Sequence, residues 1–356
     1  MPVEFWRQGS TPVPYVDIGS LALRFESAGW HGLCVGEAPG ILPDPYVVLA
    51  LAAQATTTLQ LGTAVSVPMR HPIQAANAMA VVNGIAPGRT MTFCMGRGDG
   101  AMKVLQRGPM RVGDFRSYVE DVRRYLHNEI VVTGDGLTTM ARLRQVDPSA
   151  DSARPRIDVA ATGPKMVAIA ATVADSVTFS VGADPARLRS CIQLLGDAGT
   201  DRGSDGTPLP YGCFVQLAVV GEWQSADEAR QAIRGLVMTH ARFSAYGGRP
   251  VPDMSPADRD PTIAAVEAME ESLTATGSSE GPGVYGPGVV RSSPAQLSDD
   301  FIDRFAIVGP PAYCAERLQE LIELGMWRIV IGTTSVGETE RNASLIADHV
   351  FPLVRH

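Results

Sequence analysis

Two rhythms of apolar residues alternate along this chain. Short, nearly continuous apolar runs fall at Val3 to Trp6, Trp30 to Val35, Leu59 to Val67, Thr90 to Met95, Arg156 to Ala160, Ser176 to Val181, Tyr211 to Val220 and Trp327 to Ile331. Runs of this length and continuity predict strands covered on both faces. Between them the apolar positions take helical spacing. Ile18, Leu21, Ala22 and Phe25 mark one helix that closes at Gly29, and Ile73, Ala76, Met79, Ala80 and Val82 mark another that opens at His71-Pro72. Phe115, Tyr118, Val119, Val122 and Leu126 mark a third over Arg111 to His127. Asp44-Pro45 and Asp184-Pro185 each place an acid before a proline, which predicts an N-cap and a first helical position. Ser225 and Glu228 have the spacing of a capping box before a long helix.

Strands that alternate with helices predict a parallel sheet with helices outside, and eight such strands close a (β/α)8 TIM barrel. A doubly wound open sheet is the alternative, and the glycine run Gly96 to Gly100 looks at first like its dinucleotide fingerprint. That run follows the fourth strand, not the first, and lacks the third glycine at the required spacing. Residues 1–356 therefore read as one barrel domain. Two stretches depart from the rhythm: an irregular excursion at 128–156 and an insertion at 247–296, rich in glycine, serine and proline, before the eighth strand. The insertion is expected to cover the barrel mouth and shape the substrate pocket.

Composition narrows the class. Hydrophobic residues make up 45% and charged residues 19%, enough apolar surface for a sizeable core. No apolar run is long enough to span a membrane and no signal peptide is visible, so a cytoplasmic protein with no membrane partner is expected. The formal net charge is −8 and no basic stripe interleaved with aromatics occurs, which argues against nucleic acid as a partner. Five cysteines (Cys34, Cys94, Cys191, Cys213, Cys314) show neither paired spacing nor a nearby histidine, so buried reduced thiols are expected and no metal site.

Leu61-Gly62, Arg70-His71-Pro72, Gly88-Arg89 and Gly96-Arg97-Gly98-Asp99 occur in that order around the third and fourth strands. The series resembles the luciferase-like superfamily of flavin and deazaflavin enzymes, which are (β/α)8 barrels. Within it the chain looks most like the methylenetetrahydromethanopterin reductase group, which uses coenzyme F420. The resemblance runs from Glu4 to about Gly332 and thins between Gly247 and Gln296.

The resemblance implies an oxidoreductase that moves a hydride between C5 of the deazaflavin and an electrophilic carbon of a small molecule. The alternatives are an FMN-dependent monooxygenase and a cofactor-less subunit, and family habit implies a homodimer. Glu4 and Asp99 match acids of the reductase active site, and Glu37 matches the acid that the family follows with a histidine; here Ala38 stands in that place. These three are the catalytic candidates. The bond Ala64-Val65 matches a non-proline cis peptide that forms a bulge behind the ring. The turn Thr162, Gly163, Pro164 and Lys165 resembles the loop that holds the cofactor phosphate, and free N–H groups at a helix start with a lysine beside them suit an anion. Read from residues alone, that turn is more readily a plain strand-to-helix connection, and it is the resemblance that points to a phosphate. Gly98, Asp99 and Ser180, at the carboxyl ends of their strands, complete the candidate cofactor set.

Overall fold

The computed structural model describes residues 2–9, 17–39, 42–98, 101–132, 143, 154–199, 209–245, 297–332 and 339–355. Asp99, the insertion at 247–296 and most of the excursion at 128–156 lie outside the described residues.

The strands are β1 (Glu4–Gly9), β2 (Gly32–Val35), β3 (Gln60–Thr63), β4 (Met91–Met95), β5 (Arg156–Ala161), β6 (Ser176–Phe179), β7 (Tyr211–Val219), β8 (Ala306–Gly309) and β9 (Arg328–Gly332). Neighbours run in the order β6-β5-β4-β3-β2-β1-β9-β7, every pairing is parallel, and β6 also pairs with β7, so the sheet closes into a (β/α)8 barrel. The eight apolar runs read from the sequence correspond to β1–β7 and β9. The ninth strand, β8, has no place in that reading. Gln216 pairs with Gly332 on one side and with Ala306 on the other, so β8 takes the edge of β7 that β6 occupies only as far as Cys213. Four residues ahead of Pro310-Pro311 carry too short a pattern to mark a strand, and the prolines signal a helix start instead.

Helices pack around the barrel as the alternation predicts. Local caps fix several of them. In α2 (Pro45–Ala55) the Asp44 carboxylate accepts the N–H groups of Tyr46 at 3.0 Å and Val47 at 3.3 Å. In α3 (Pro72–Ile85) His71 and Gln74 cap one another's backbone. The other helices used below are α6 (Pro164–Val173), α7 (Pro185–Asp197), α8 (Ala226–Ala245), α9 (Asp299–Phe305) and α10 (Pro311–Glu323), among eleven described α-helices that also include α1 (Ile18–Ser27), α4 (Ala101–Val104), α5 (Val112–Leu126) and α11 (Thr339–Leu345).

Strand alternation divides the buried residues into two sets. Phe5, Leu33, Leu61, Phe93, Val159 and Ile329 belong to the large core between strands and helices. Trp6, Cys34 and Val330, with Ala64 and Phe214 against them, form a separate cluster inside the barrel. All five cysteines are free and buried. Among the described residues no helix is long and apolar enough to cross a membrane.

Candidate active site

The barrel interior has a polar lower half, set by side chains near the amino ends of the strands. Asp158 of β5 and Arg328 of β9 are both buried and form an ion pair at 2.8 Å. Asp158 also accepts hydrogen bonds from Ser176 at 2.7 Å and Thr178 at 2.6 Å. Arg328 donates to Thr92 at 3.1 Å and Thr178 at 2.9 Å, and lies over the rings of Trp6 at 5.2 Å and Trp327 at 5.0 Å. Only its Nε lacks a hydrogen-bond partner. Burial pushes the Asp158 carboxyl up, but the guanidinium and the hydrogen bonds from Cys94, Thr178 and Ser176 outweigh it and hold Asp158 below the ordinary carboxylate range.

Glu4 belongs to this lower half. It is the first residue of β1, and its carboxylate accepts from the Trp6 indole at 2.9 Å and the Gln60 amide at 2.8 Å. The structure thus sets Glu4 at the amino-terminal end of the barrel, away from the carboxyl mouth. Trp6 follows two residues later on the same face of β1, whereas Gln60 is not legible as a partner because it lies on another strand.

At the mouth, the chain after β3 bulges. The Ala64–Val65 peptide bond is cis. Its Ala64 carbonyl accepts from Gln8 Nε2 at 3.2 Å, and the Val65 carbonyl accepts the Glu37 N–H at 3.0 Å. The Glu37 carboxylate takes a hydrogen bond from the Ser66 hydroxyl at 2.8 Å and from the Val67 N–H at 2.9 Å, with Arg70 at 3.4 Å. Tyr46 completes this cluster through its hydroxyl, 2.9 Å from Ser66 Oγ. Burial raises the Glu37 carboxyl, against the opposing pull of Val67, Ser66 and Arg70. Glu37 is therefore turned to the loop that carries the bulge, and its hydrogen-bonding capacity goes into fixing residues 65–67.

A cavity of about 40 Å³, room for one or two waters, opens inside the barrel between these halves. Trp6, Ala64, Val65, Ser180, Phe214 and Val330 wall it, and Asp158 and Arg328 reach it from below. Small residues at Ala64, Ala160 and Ser180 leave the space free.

Beside the mouth, Thr162 and Gly163 lead into α6. Gly163 is its N-cap and has no side chain to satisfy the first N–H groups, and a Cβ placed there would meet nothing within 4 Å. Lys165 is exposed on the first turn. Arg187 of α7 donates to the Thr162 carbonyl at 3.2 Å, which adds a second cation that motif reading alone does not supply. Ser180 follows β6, and its N–H donates to the Ala161 carbonyl at 3.0 Å. Gly98 follows β4 with a φ of +85°, which favours glycine. Thr162, Gly163, Pro164 and Lys165 thus gather at the start of α6, Ser180, Ala64 and Val65 line the cavity, and Glu4 lies below. Gln8, Phe214 and Arg187 are site residues that the motifs did not mark. Phe214 could have been found from its place in the alternation of β7.

Residues 1–328 match the family model of luciferase-like monooxygenases. The chain belongs to that family. A 5,10-methylenetetrahydromethanopterin reductase of Archaeoglobus fulgidus is 26% identical over 321 residues, covering 87% of each chain. Among solved structures, the coenzyme F420-dependent tetrahydromethanopterin reductase of Methanopyrus kandleri superposes with a TM-score of 0.73 at 18% identity, and covers 100% of both chains. An F420-dependent secondary alcohol dehydrogenase, solved with an F420–acetone adduct, gives a TM-score of 0.74 at 17% identity, again over 100% of both chains. In this luciferase-like chain the barrel, its closure and the bulge after β3 agree with the expectations drawn from the sequence.

Proposed function

We propose that this protein is a coenzyme F420-dependent oxidoreductase. The observation that carries the reading is the Ala64–Val65 bulge at the carboxyl end of β3, above the small cavity, with an anion cradle at the start of α6. A flat tricyclic ring fits against small residues on the bulge, and a phosphate-bearing tail fits the N–H groups of Gly163 and Lys165, with the Lys165 and Arg187 side chains beside them; Pro164 has no N–H, and those of Met166 and Val167 go to the Gly163 carbonyl at 3.0 Å. The reductase names of the relatives favour F420 over FMN; the family description keeps an FMN-dependent monooxygenase as the second reading. Bound there, F420 supplies a hydride donor or acceptor at C5.

The protein's part is positioning. Gln8 and Glu37 hold the carbonyls and the loop of the bulge, so the wall behind the ring is fixed before the ligand arrives. The Arg328–Asp158 pair supports the cavity from below without presenting a net charge. Asp99, at the end of β4 in sequence, is the candidate to exchange the accompanying proton, and Glu37 serves by orientation.

Fluorescence quenching on titration with F420 and separately with FMN tests the assignment. F420 is expected to bind at least tenfold more tightly. Tighter binding of FMN moves the protein to the monooxygenase reading, and an Asp99→Asn variant that transfers hydride at the full rate removes the proton role from Asp99.

A further inference from the structure

Residues 64–67, the bulge after β3, are held by their neighbours bond by bond. Gln8 donates to the Ala64 carbonyl, and the Glu37 N–H donates to the Val65 carbonyl. The Ser66 N–H donates to the Cys94 carbonyl at 2.9 Å, and the Ser66 carbonyl accepts the Gly96 N–H at 3.0 Å. The Val67 N–H and the Ser66 hydroxyl both go to Glu37 Oε2, at 2.9 Å and 2.8 Å. Among these partners the Glu37 carboxylate is the one ionisable side chain.

Proton counting gives the contact a direction. Ser66 gives its single hydroxyl proton to Glu37, so the Tyr46 hydroxyl, 2.9 Å from Ser66 Oγ, is the donor in that pair. The chain runs from Tyr46 to Ser66 to Glu37 and ends on a charge. The other carboxylate oxygen, Oε1, faces the Arg70 guanidinium at 3.4 Å, a group that can only donate. A proton on Oε1 therefore meets a cation. A proton on Oε2 turns the chain round: Ser66 must accept it and aim its own proton at Tyr46, whose proton then has no acceptor among the described residues. The observed arrangement of residues 65–67 is thus that of ionised Glu37.

Neighbouring groups tune this carboxyl. Burial is the largest effect and raises it above the ordinary 4.5; Val67, Ser66 and Arg70 oppose burial, and Asp44 adds to it. Asp44, the N-cap of α2, is ion-paired with Arg70, so Arg70 is shared between two acids. Its guanidinium also lies 4.6 Å over the Tyr46 ring. Tyr118 of α5 is a second buried phenol in the field of Glu37, raised by burial and then by that carboxylate.

We propose that binding of a flat ring against the bulge is linked to ionisation of Glu37, with Tyr46, Ser66 and Arg70 as positioning residues. The inference rests on the ring-binding reading above. A ring needs residues 64–67 in one shape, and that shape needs the carboxylate. A protonated Glu37 releases its proton to solvent as the ring settles, and acid reciprocally weakens the hold on the ring. Affinity is full above the titration of the ligand-free carboxyl and falls as pH drops through it. Ser66, Tyr46 and Arg70 act from behind the wall, since Ala64 and Val65 line the cavity and these three do not.

The test uses the whole protein and begins without ligand. The Ser66 and Val67 amide signals in 15N NMR are expected to follow one titration centred above pH 4.5. Its midpoint should move up in Tyr46→Phe and further up in Arg70→Met, which removes the cation. It should move down in Asp44→Asn, which removes a like charge and keeps an N-cap. A second arm measures affinity for F420, and separately for FMN, by fluorescence quenching across the same pH range. Each ligand has titrating groups of its own, so wild type is compared with Glu37→Gln at every pH. At neutral pH the variant is expected to bind roughly tenfold more weakly, and the ratio should approach one as acid protonates Glu37 in the wild type. If Glu37→Gln does not fold, opposite shifts of the binding profile in Tyr46→Phe and Asp44→Asn carry this arm. No quenching by either ligand overturns the ring-binding reading and the linkage together. Binding with a constant ratio, or amide midpoints that all move the same way, overturns the linkage and leaves the cofactor assignment standing.

Discussion

The two halves of the barrel interior are both polar, and they differ in the charge of the groups they bury. Below, Asp158 and Arg328 neutralise one another, and Ser176, Thr178 and Thr92 take up nearly all the remaining bonds. Above, His240 and Gln216 are as deeply buried, yet three of their nitrogen and oxygen atoms have no partner. What separates the halves is charge: the lower one is held by an ion pair, although Arg328 Nε, Arg156 Nη1 and Trp327 Nε1 there also lack partners, whereas the upper one buries uncharged polar groups.

The largest effect expected is in the lower half. Arg328→Met leaves Asp158 buried without its counter-ion and should cost about 3–5 kcal/mol of unfolding free energy in urea. Adding Asp158→Leu should return most of the loss. A single variant that stays as stable as the wild type would show that the lower half is not held by its pairing. Next in size is a pH effect at the mouth. The His240 ring goes from an ordinary 6.5 in the unfolded chain to about 4 in the folded one. Between those values the unfolded state binds more protons, so stability is full above pH 6.5 and is lost as pH falls toward 4. The loss is at most about 3 kcal/mol, at 1.36 kcal/mol per pH unit. Urea unfolding at pH 4.5 and pH 7 should show this increment in the wild type, and a smaller one in His240→Phe; equal pH dependence would mean that His240 is not buried and neutral. The smallest effect concerns the flank. Lys165→Ala should weaken F420 binding by about 1–2 kcal/mol, the value of a charge-assisted hydrogen bond, and unchanged affinity would leave Lys165 a surface residue.

Much of this architecture is legible in the chain because continuous apolar runs and proline-marked caps are local signals. The parallel barrel follows from them, and so does the position of the turn Thr162 to Lys165. The missing strand shows the limit: Ala306 to Gly309 is short and is recruited by an edge of β7 that becomes free only once β6 has ended. Charges inside apolar strands were a usable sign of interior pairing, at Asp158 within Arg156–Ala161 and at Arg328 within Arg328–Gly332. Gln216 within Tyr211–Val219 is a third such residue. The role of Glu37 could not be read, since its partners Ser66, Val67 and Arg70 become neighbours only when β2 and β3 lie side by side. His240 has no spacing signal at all. On an amphipathic helix a lone histidine looks like any other polar residue until the wall it enters is known.

The burial of every thiol turns this enzyme into its own unfolding clock. Burial raises Cys34 and Cys314 to about 12 and Cys191 to about 11, and it raises Cys94 and Cys213 as well, so almost no thiolate exists in the native state. Alkylation then records only those moments when the chain opens. Cys34 and Cys94 border the cavity, whereas Cys191 and Cys314 sit on α7 and α10 outside the strands. Mapping the alkylated positions against time would separate breathing of the barrel wall from detachment of its helical jacket, with no label introduced into the protein.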